Sequence, residues 1–150
     1  AEWATRSGAL RSVLLAYALH EPEVGYVQGM HYMAAAALLP GSTAESPPSE
    51  LDERRAFWWL THCVAHLLPP GCYGPGMRGL QLEQAVLLRL LQREAPAVAT
   101  RLESLGVAVG LLTSGWFLTL YQAQLPGPVA LEALDAFAAR RVAPLQLART

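Results

Sequence analysis

Apolar residues along this chain recur every three to four positions, with no convincing alternation of period two. That spacing predicts helices and no strands. Leu10, Val13, Leu14 and Tyr17 share one helical face behind Ser7, a suitable N-cap, so a helix is expected from about Gly8 to His20. Pro22 and Gly25 break it. A second helix is expected to start near Gln28, carry Met30, Met33, Ala37 and Leu38, and stop at Pro40-Gly41. Residues 41–49 have the Gly, Ser and Pro content of a loop. Ser49 and Asp52 then have capping-box spacing. The helix behind them places Phe57, Leu60, Val64, Leu67 and Leu68 on one stripe and ends at Pro69-Pro70-Gly71.

Beyond a loop to about Arg78, Leu80, Leu87, Leu90 and Leu91 share a face from which Arg89 and Arg93 point away. Glu83 and Gln84 fall on the leucine side, so the first turn of that helix is expected to be half-buried. Pro96 suits the start of a short helix with Val98, Leu102 and Leu105 inside, ended by Gly106. Ser114 is read as the cap of a helix running through Trp116, Phe117, Leu120 and Tyr121, broken by Pro126. Pro128 opens a last helix containing Leu131, Leu134, Asp135 and Phe137. There is no internal repeat and no low-complexity tract. The expected fold class is all-α, built from short helices.

The length of 150 residues fits one domain with a real core. Hydrophobic residues make up 53% and charged residues 15% of the chain, which excludes disorder, collagen and coiled coil. A net charge of −1 leaves no basic field for a nucleic-acid backbone. Cys63 and Cys72 cannot form a disulfide framework, so a reducing, cytoplasmic compartment is expected. Lys, Ile and Asn are absent while Ala, Arg, Gly, Pro and Leu abound. That is the imprint of GC-rich coding, under which a familiar motif can lose those three residues. Ala1 is not preceded by Met, no signal-like segment follows, and Thr150 closes no obvious cap. The chain is therefore read as truncated at both ends.

Most candidate motifs have a plainer explanation. Residues 106–131 carry no charge, but Gly106, Gly110, Gly115, Gln122, Gln124, Pro126, Gly127 and Pro128 interrupt them. The cleanest part, Gly106 to Tyr121, is shorter than the roughly 20 residues a transmembrane helix needs. A buried helix pair is expected there, and no membrane span. Gly74, Gly76 and Gly79 match G-x-G-x-x-G without the preceding strand that a dinucleotide site requires, so they are read as a helix–helix loop. His62 and His66 lie four apart beside Cys63, but a structural zinc site wants further ligands and a metalloprotease wants Glu at position 63. They are read as surface or packing histidines, and no metal is expected. His20 and His31 have no nucleophile pattern nearby. Asp52-Glu53 fits a helix start near the positive end of the dipole. Arg54-Arg55 and Arg140-Arg141 are solvated faces.

The most informative stretch is Gly25-Tyr26-Val27-Gln28-Gly29-Met30, a polar amide between apolar residues at the mouth of a helix, followed by a glycine that permits close approach. In context, Leu10-Arg11-Ser12-Val13-Leu14-Leu15-Ala16-Tyr17-Ala18 and then Pro22-Glu23-Val24-Gly25-Tyr26-Val27-Gln28-Gly29-Met30 resembles TBC-domain proteins, activators of Rab-type small GTPases. The pattern is a leucine-rich helix ending in Ala-Tyr, a short break, then Tyr-x-Gln-Gly. Ala56-Phe57-Trp58, Leu67-Leu68-Pro69, Tyr73, Gly79-Leu80-Gln81, Pro96, Leu102, Gly106, Trp116-Phe117, Leu120-Tyr121 and Leu125-Pro126 follow in the family's order. The resemblance covers nearly the whole chain and implies a partial TBC domain over residues 1–150.

The resemblance also implies a mechanism. The family supplies two side chains to a partner's active site: an arginine from an Ile-x-x-Asp-x-x-Arg motif, and the glutamine of Tyr-x-Gln-Gly, here Gln28. Tyr26 is then expected to pack and fix the loop, and Gly29 to let the partner approach. GTP and Mg²⁺ belong to the partner, so no cofactor and no substrate turnover of its own are expected. Membrane contact is expected only through the partner Rab, in vesicle trafficking. The arginine motif should lie further upstream of Leu10 than nine residues allow, and neither Arg6 nor Arg11 has its context. The family's Leu-Arg-Ile-Trp-Asp reads here as Leu131-Glu132-Ala133-Leu134-Asp135, and its following Glu-Gly as Arg140-Arg141. These departures keep two rivals open: a TBC-like module that holds a GTPase without accelerating it, and a helical scaffold with no GTPase partner.

Overall fold

The computed structural model describes residues 2–39 and 46–140. Among them it has seven α-helices and no strand, the all-α class the apolar spacing predicts. The chain divides between Leu68 and Pro69 into two compact units.

The first unit packs three helices on one another: α1 (Glu2–His20), α2 (Met30–Leu38) and α3 (Glu50–His62). Its core joins Val13 and Tyr17 of α1, Met30, Met33 and Ala34 of α2, and Ala56 and Leu60 of α3. Each large apolar side chain removed from water there contributes about 1.5–3 kcal/mol. α1 starts earlier than its sequence signals suggest. Ser7 lies within it and caps nothing at its start, because residues 2–6 contain no Gly or Pro to stop a helix.

The cap of α3 forms as its spacing predicts. Ser49 Oγ accepts from the Asp52 amide at 3.3 Å, and the Ser49 amide donates to Asp52 Oδ2 at 2.9 Å. Ser49 Oγ also donates to Asp52 Oδ2 at 2.6 Å. These bonds from Ser49, with Arg55 adding to them, hold the Asp52 carboxyl below its usual range. α3 runs on into a wider turn, Cys63–Leu67, whose closing bond runs from the Leu68 amide to the Cys63 carbonyl at 2.9 Å. That turn buries Cys63, Leu67 and Leu68, while Phe57 and Val64 of the expected stripe are only half-buried. The loop expected over 41–49 lies outside the described residues as far as position 45.

In the second unit, α4 (Arg78–Glu94), α5 (Pro96–Ser104), α6 (Val109–Leu118) and α7 (Gly127–Arg140) follow a glycine-rich turn. Gly74 and Gly76 take φ values of 104° and 75°, which L side chains rarely adopt. Gly79 sits so close to the preceding chain that a Cβ would fall 2.6 Å from the Pro70 carbonyl oxygen. The three glycines therefore make a tight helix entry. With no strand before them, the dinucleotide pattern is accidental.

On α4, Leu80 is buried and Leu87, Leu90 and Leu91 are half-buried. Gln84, which interrupts their stripe, donates to the Gly110 carbonyl at 3.1 Å and to Ser114 Oγ at 3.0 Å. Glu83 is half-buried, as expected for this turn, and one of its oxygens is buried with no hydrogen-bond partner. Burial pushes its pKa up.

Pro96 opens α5, and Gly106 (φ 67°) ends it, with the Val107 amide reaching back to the Leu102 carbonyl at 3.0 Å. Val98 and Leu105 are exposed, against expectation; Ala99 and Leu102 are the half-buried residues of this helix. α6 begins at Val109, five residues before the expected cap. Ser114 lies inside it and donates to the Gly110 carbonyl at 2.6 Å, the alternative use of a serine hydroxyl within a helix. The helix stops at Leu118, and Leu120 and Tyr121 take left-handed φ values of 48° and 63° where helix was expected. The Tyr121 amide closes this turn on the Trp116 carbonyl at 2.9 Å. On α7, Ala130, Leu134 and Phe137 are buried at helical spacing, while Leu131 and Asp135 face water. Arg141 lies outside the described residues. The uncharged stretch 106–131 is thus a helix, a turn and a helix start. No helix among the described residues is long and apolar enough to cross a membrane.

Candidate functional site

The residues singled out at 25–30 form the connection between α1 and α2. The Glu21 amide continues α1 by bonding the Tyr17 carbonyl, and Gly25 (φ 63°) turns the chain with its amide on the Glu21 carbonyl at 2.8 Å. The chain then continues without regular structure to Val27, whose amide points at the Met30 sulfur at 3.4 Å. Gly29 is the residue before α2 and has φ 116°. An L side chain is strained there, so glycine is required by the bend itself. Gly29 is buried, and its carbonyl accepts from the Tyr32 amide at 3.1 Å.

Gln28 stands between these fixed points. It is exposed, and its amide makes no hydrogen bond among the described residues. Tyr26 was expected to pack, but it is 51% exposed. What holds it is a hydrogen bond of 3.0 Å between its hydroxyl and His31 Nδ1 on α2. His31 in turn lies against the Tyr32 ring, with centroids 4.4 Å apart. This supporting role of His31 has no signal in the sequence, because the five-residue separation crosses a loop boundary. Tyr26 also closes one end of an open apolar groove of about 320 Å³ along α1, walled by Leu10, Leu14, Leu15 and Ala18. Arg11 is the one charged residue lining it.

The arrangement presents a neutral amide, one donor group and one acceptor, on a loop already held by backbone bonds. The backbone is thus ordered in advance, and the Gln28 side chain remains to be fixed on use. Arg11 is exposed on α1. The side chains of Arg6 and Arg140 lie outside what is described. Arg54 and Arg55 pair with Glu50 and Asp52 at 3.8 Å and 3.7 Å on the solvated face of α3, as expected.

The remaining candidates do not join this loop. Cys63 and Cys72 are buried, and burial pushes both thiols up to about 12, far from reactive thiolate. His62 and His66 are exposed, with ring centroids 5.0 Å apart. Among the described residues no three His, Cys, Asp or Glu side chains cluster as a closed metal site would need.

Comparison with known proteins adds a family. The profile of the Rab-GTPase-TBC domain matches residues 4–148. Mouse carabin is 40% identical over 129 residues, which cover 85% of this chain and 26% of carabin. Rat growth hormone-regulated TBC protein 1 is 38% identical over 126 residues, covering 84% of this chain and 40% of that protein. Rat TBC1 domain family member 2A is 35% identical over 128 residues, covering 85% of this chain and 13% of its own length. The chain thus spans less than half the length of these relatives.

Proposed function

The chain belongs to the Rab-GTPase-TBC domain family, and we propose on that premise that, within its full-length protein, it activates a Rab-type small GTPase by offering Gln28 in trans. The observation that carries this is the exposed, unbonded amide of Gln28 on a loop fixed by Gly25 and Gly29 at the head of α2. GTP hydrolysis is mostly positioning and charge stabilisation. A glutamine carbonyl accepts from the attacking water, while its NH₂ donates towards the phosphate. Being neutral, it orients the water and is no strong base. Tyr26 and His31 hold the loop, so the entropy lost in this orientation is mainly that of the Gln28 side chain. Gly29 shapes the bend.

GTP and Mg²⁺ are the partner's, so this protein turns over no substrate of its own. Neither Arg6 nor Arg11 is assigned as the arginine that offsets transition-state charge. Such a finger is worth on the order of 10³–10⁵ in rate. The protein reaches membranes, in this view, through the Rab it serves in vesicle trafficking.

A second reading, a module that holds the GTPase without accelerating it, is favoured by the segment Leu131–Asp135, which lacks the Arg and Trp of the family pattern. Single-turnover GTP hydrolysis across a panel of Rabs, with the full-length protein added, separates the two. Acceleration of at least one Rab is expected. Binding to a GTP-loaded Rab without acceleration would establish the holding module, and binding to none would end both readings.

A further inference from the structure

His62 and His66 take no part in the site just described. His62 is the last residue of α3, and His66 lies in the wide turn that continues it. Residues four apart on a helix are neighbours on one face. Cys63 and Leu67 between and after them point inward and are buried, which leaves both imidazoles on the water side. The two ring centroids lie 5.0 Å apart, with the planes tilted at 50°.

That separation has a chemical meaning. An ion bound by two imidazole nitrogens at about 2.0–2.1 Å, with a near-tetrahedral angle between them, holds the ring centres about 5 Å apart. The rings already stand at that spacing, and both are exposed, so their side-chain torsions are free to turn one nitrogen of each toward a shared ion. The other described histidines of this unit lack such a partner: His20 stands 3.8 Å from Glu21, and His31 is engaged by the Tyr26 hydroxyl. Because no third His, Cys, Asp or Glu joins the pair among the described residues, a closed structural zinc site is excluded there.

We propose that His62 and His66 form an open two-imidazole chelate for a divalent transition-metal ion of the Zn²⁺, Ni²⁺ and Cu²⁺ class, whose remaining positions take water or a donor from another molecule. Imidazole suits these ions and not Mg²⁺ or Ca²⁺, and the affinity order puts Cu²⁺ above Zn²⁺. The second imidazole binds intramolecularly, so the pair holds the ion more tightly than two separate histidines. The ion also links the end of α3 to the turn after it, so binding stabilises the folded state.

The test titrates Zn²⁺, Ni²⁺ and Mg²⁺ into the full-length protein and its His62→Ala and His66→Ala variants. Calorimetry and thermal unfolding are read with and without EDTA, after circular dichroism confirms that the variants fold. Either substitution is expected to weaken one Ni²⁺ site by about tenfold or more, and to abolish the EDTA-reversible rise in unfolding temperature, with Mg²⁺ inert throughout. Cu²⁺ spin resonance is expected to show one nitrogen fewer in each variant. Variants that bind as the unmodified protein does would overturn the proposal. So would signals that halve in each variant without a change in affinity, the mark of two independent histidines.

Discussion

At the head of α2, Gly25 and Gly29 bend the chain so that Gln28 stands in water with its amide unbonded. At the head of α4, Gly74, Gly76 and Gly79 also shape a helix entry, but there the glutamines are hydrogen-bonded. Gln81 donates to the Gly76 carbonyl at 2.8 Å, and Gln84 bridges to Gly110 and Ser114. The same residue types serve one region by tying it down and the other by being left free. An unsatisfied amide in water costs nothing, since solvent fills its bonds, whereas a half-buried one must find partners. Gln28 is therefore available to a partner at no cost in folding, and Gln84 is not.

That contrast makes Gln28 and the α4 entry separable by mutation. Gln28→Ala in the full-length protein is expected to lower stimulated GTP hydrolysis by roughly 10²–10³-fold, the usual loss when one transition-state donor is removed. Its stability should stay within about 0.5 kcal/mol, as for exposed positions generally. Gly79→Ala is expected to do the reverse. Its Cβ would meet the Pro70 carbonyl at 2.6 Å and the Cys72 amide at 2.7 Å, both backbone atoms that cannot swing aside. Overpacking of this kind costs about 1–3 kcal/mol, which a urea melt would report.

Gln84→Ala removes two hydrogen bonds and should cost about 1–2 kcal/mol, with the stimulated rate unchanged for the protein that remains folded. The smallest effect belongs to the cap of α3, where Ser49→Ala should cost about 1 kcal/mol at neutral pH. The Asp52 carboxyl it holds is depressed below its ordinary 3.8. That contribution is present above this value and is lost as pH falls through the lowered one. The difference between Ser49→Ala and the unmodified protein should therefore shrink only in strong acid.

Much of this contrast was legible in the sequence. Gly25, the Ser49–Asp52 cap, Pro96 and Gly106 each act through one local backbone requirement and do what their positions predict, while Gly29, expected to let a partner approach, is buried at the bend before α2. Where the expectations failed, a tertiary or competing local effect won. Ser7 and Ser114 look like caps but sit inside helices: no Gly or Pro in residues 2–6 stops α1, and the Ser114 hydroxyl bonds the carbonyl four residues back, on Gly110. Leu120 and Tyr121 look helical, yet turn left-handed where Leu120 is driven fully inside. The wide turn at Cys63–Leu67 adds one residue to a helical circuit and leaves no compositional mark. At the site, the place of Gln28 at a helix mouth was readable. The tie between Tyr26 and His31 was not, since it depends on how the loop folds back.

The proposed role of Gln28 is in the reaction and not in the docking. Its most direct test measures two quantities for the full-length protein and its Gln28→Ala variant: affinity for a GTP-loaded Rab, and the single-turnover hydrolysis rate with that Rab saturated. Equal affinity is expected, with a saturated rate lower by roughly 10²–10³-fold than that of the unmodified protein. A variant that binds equally and still accelerates hydrolysis as the unmodified protein does would contradict it.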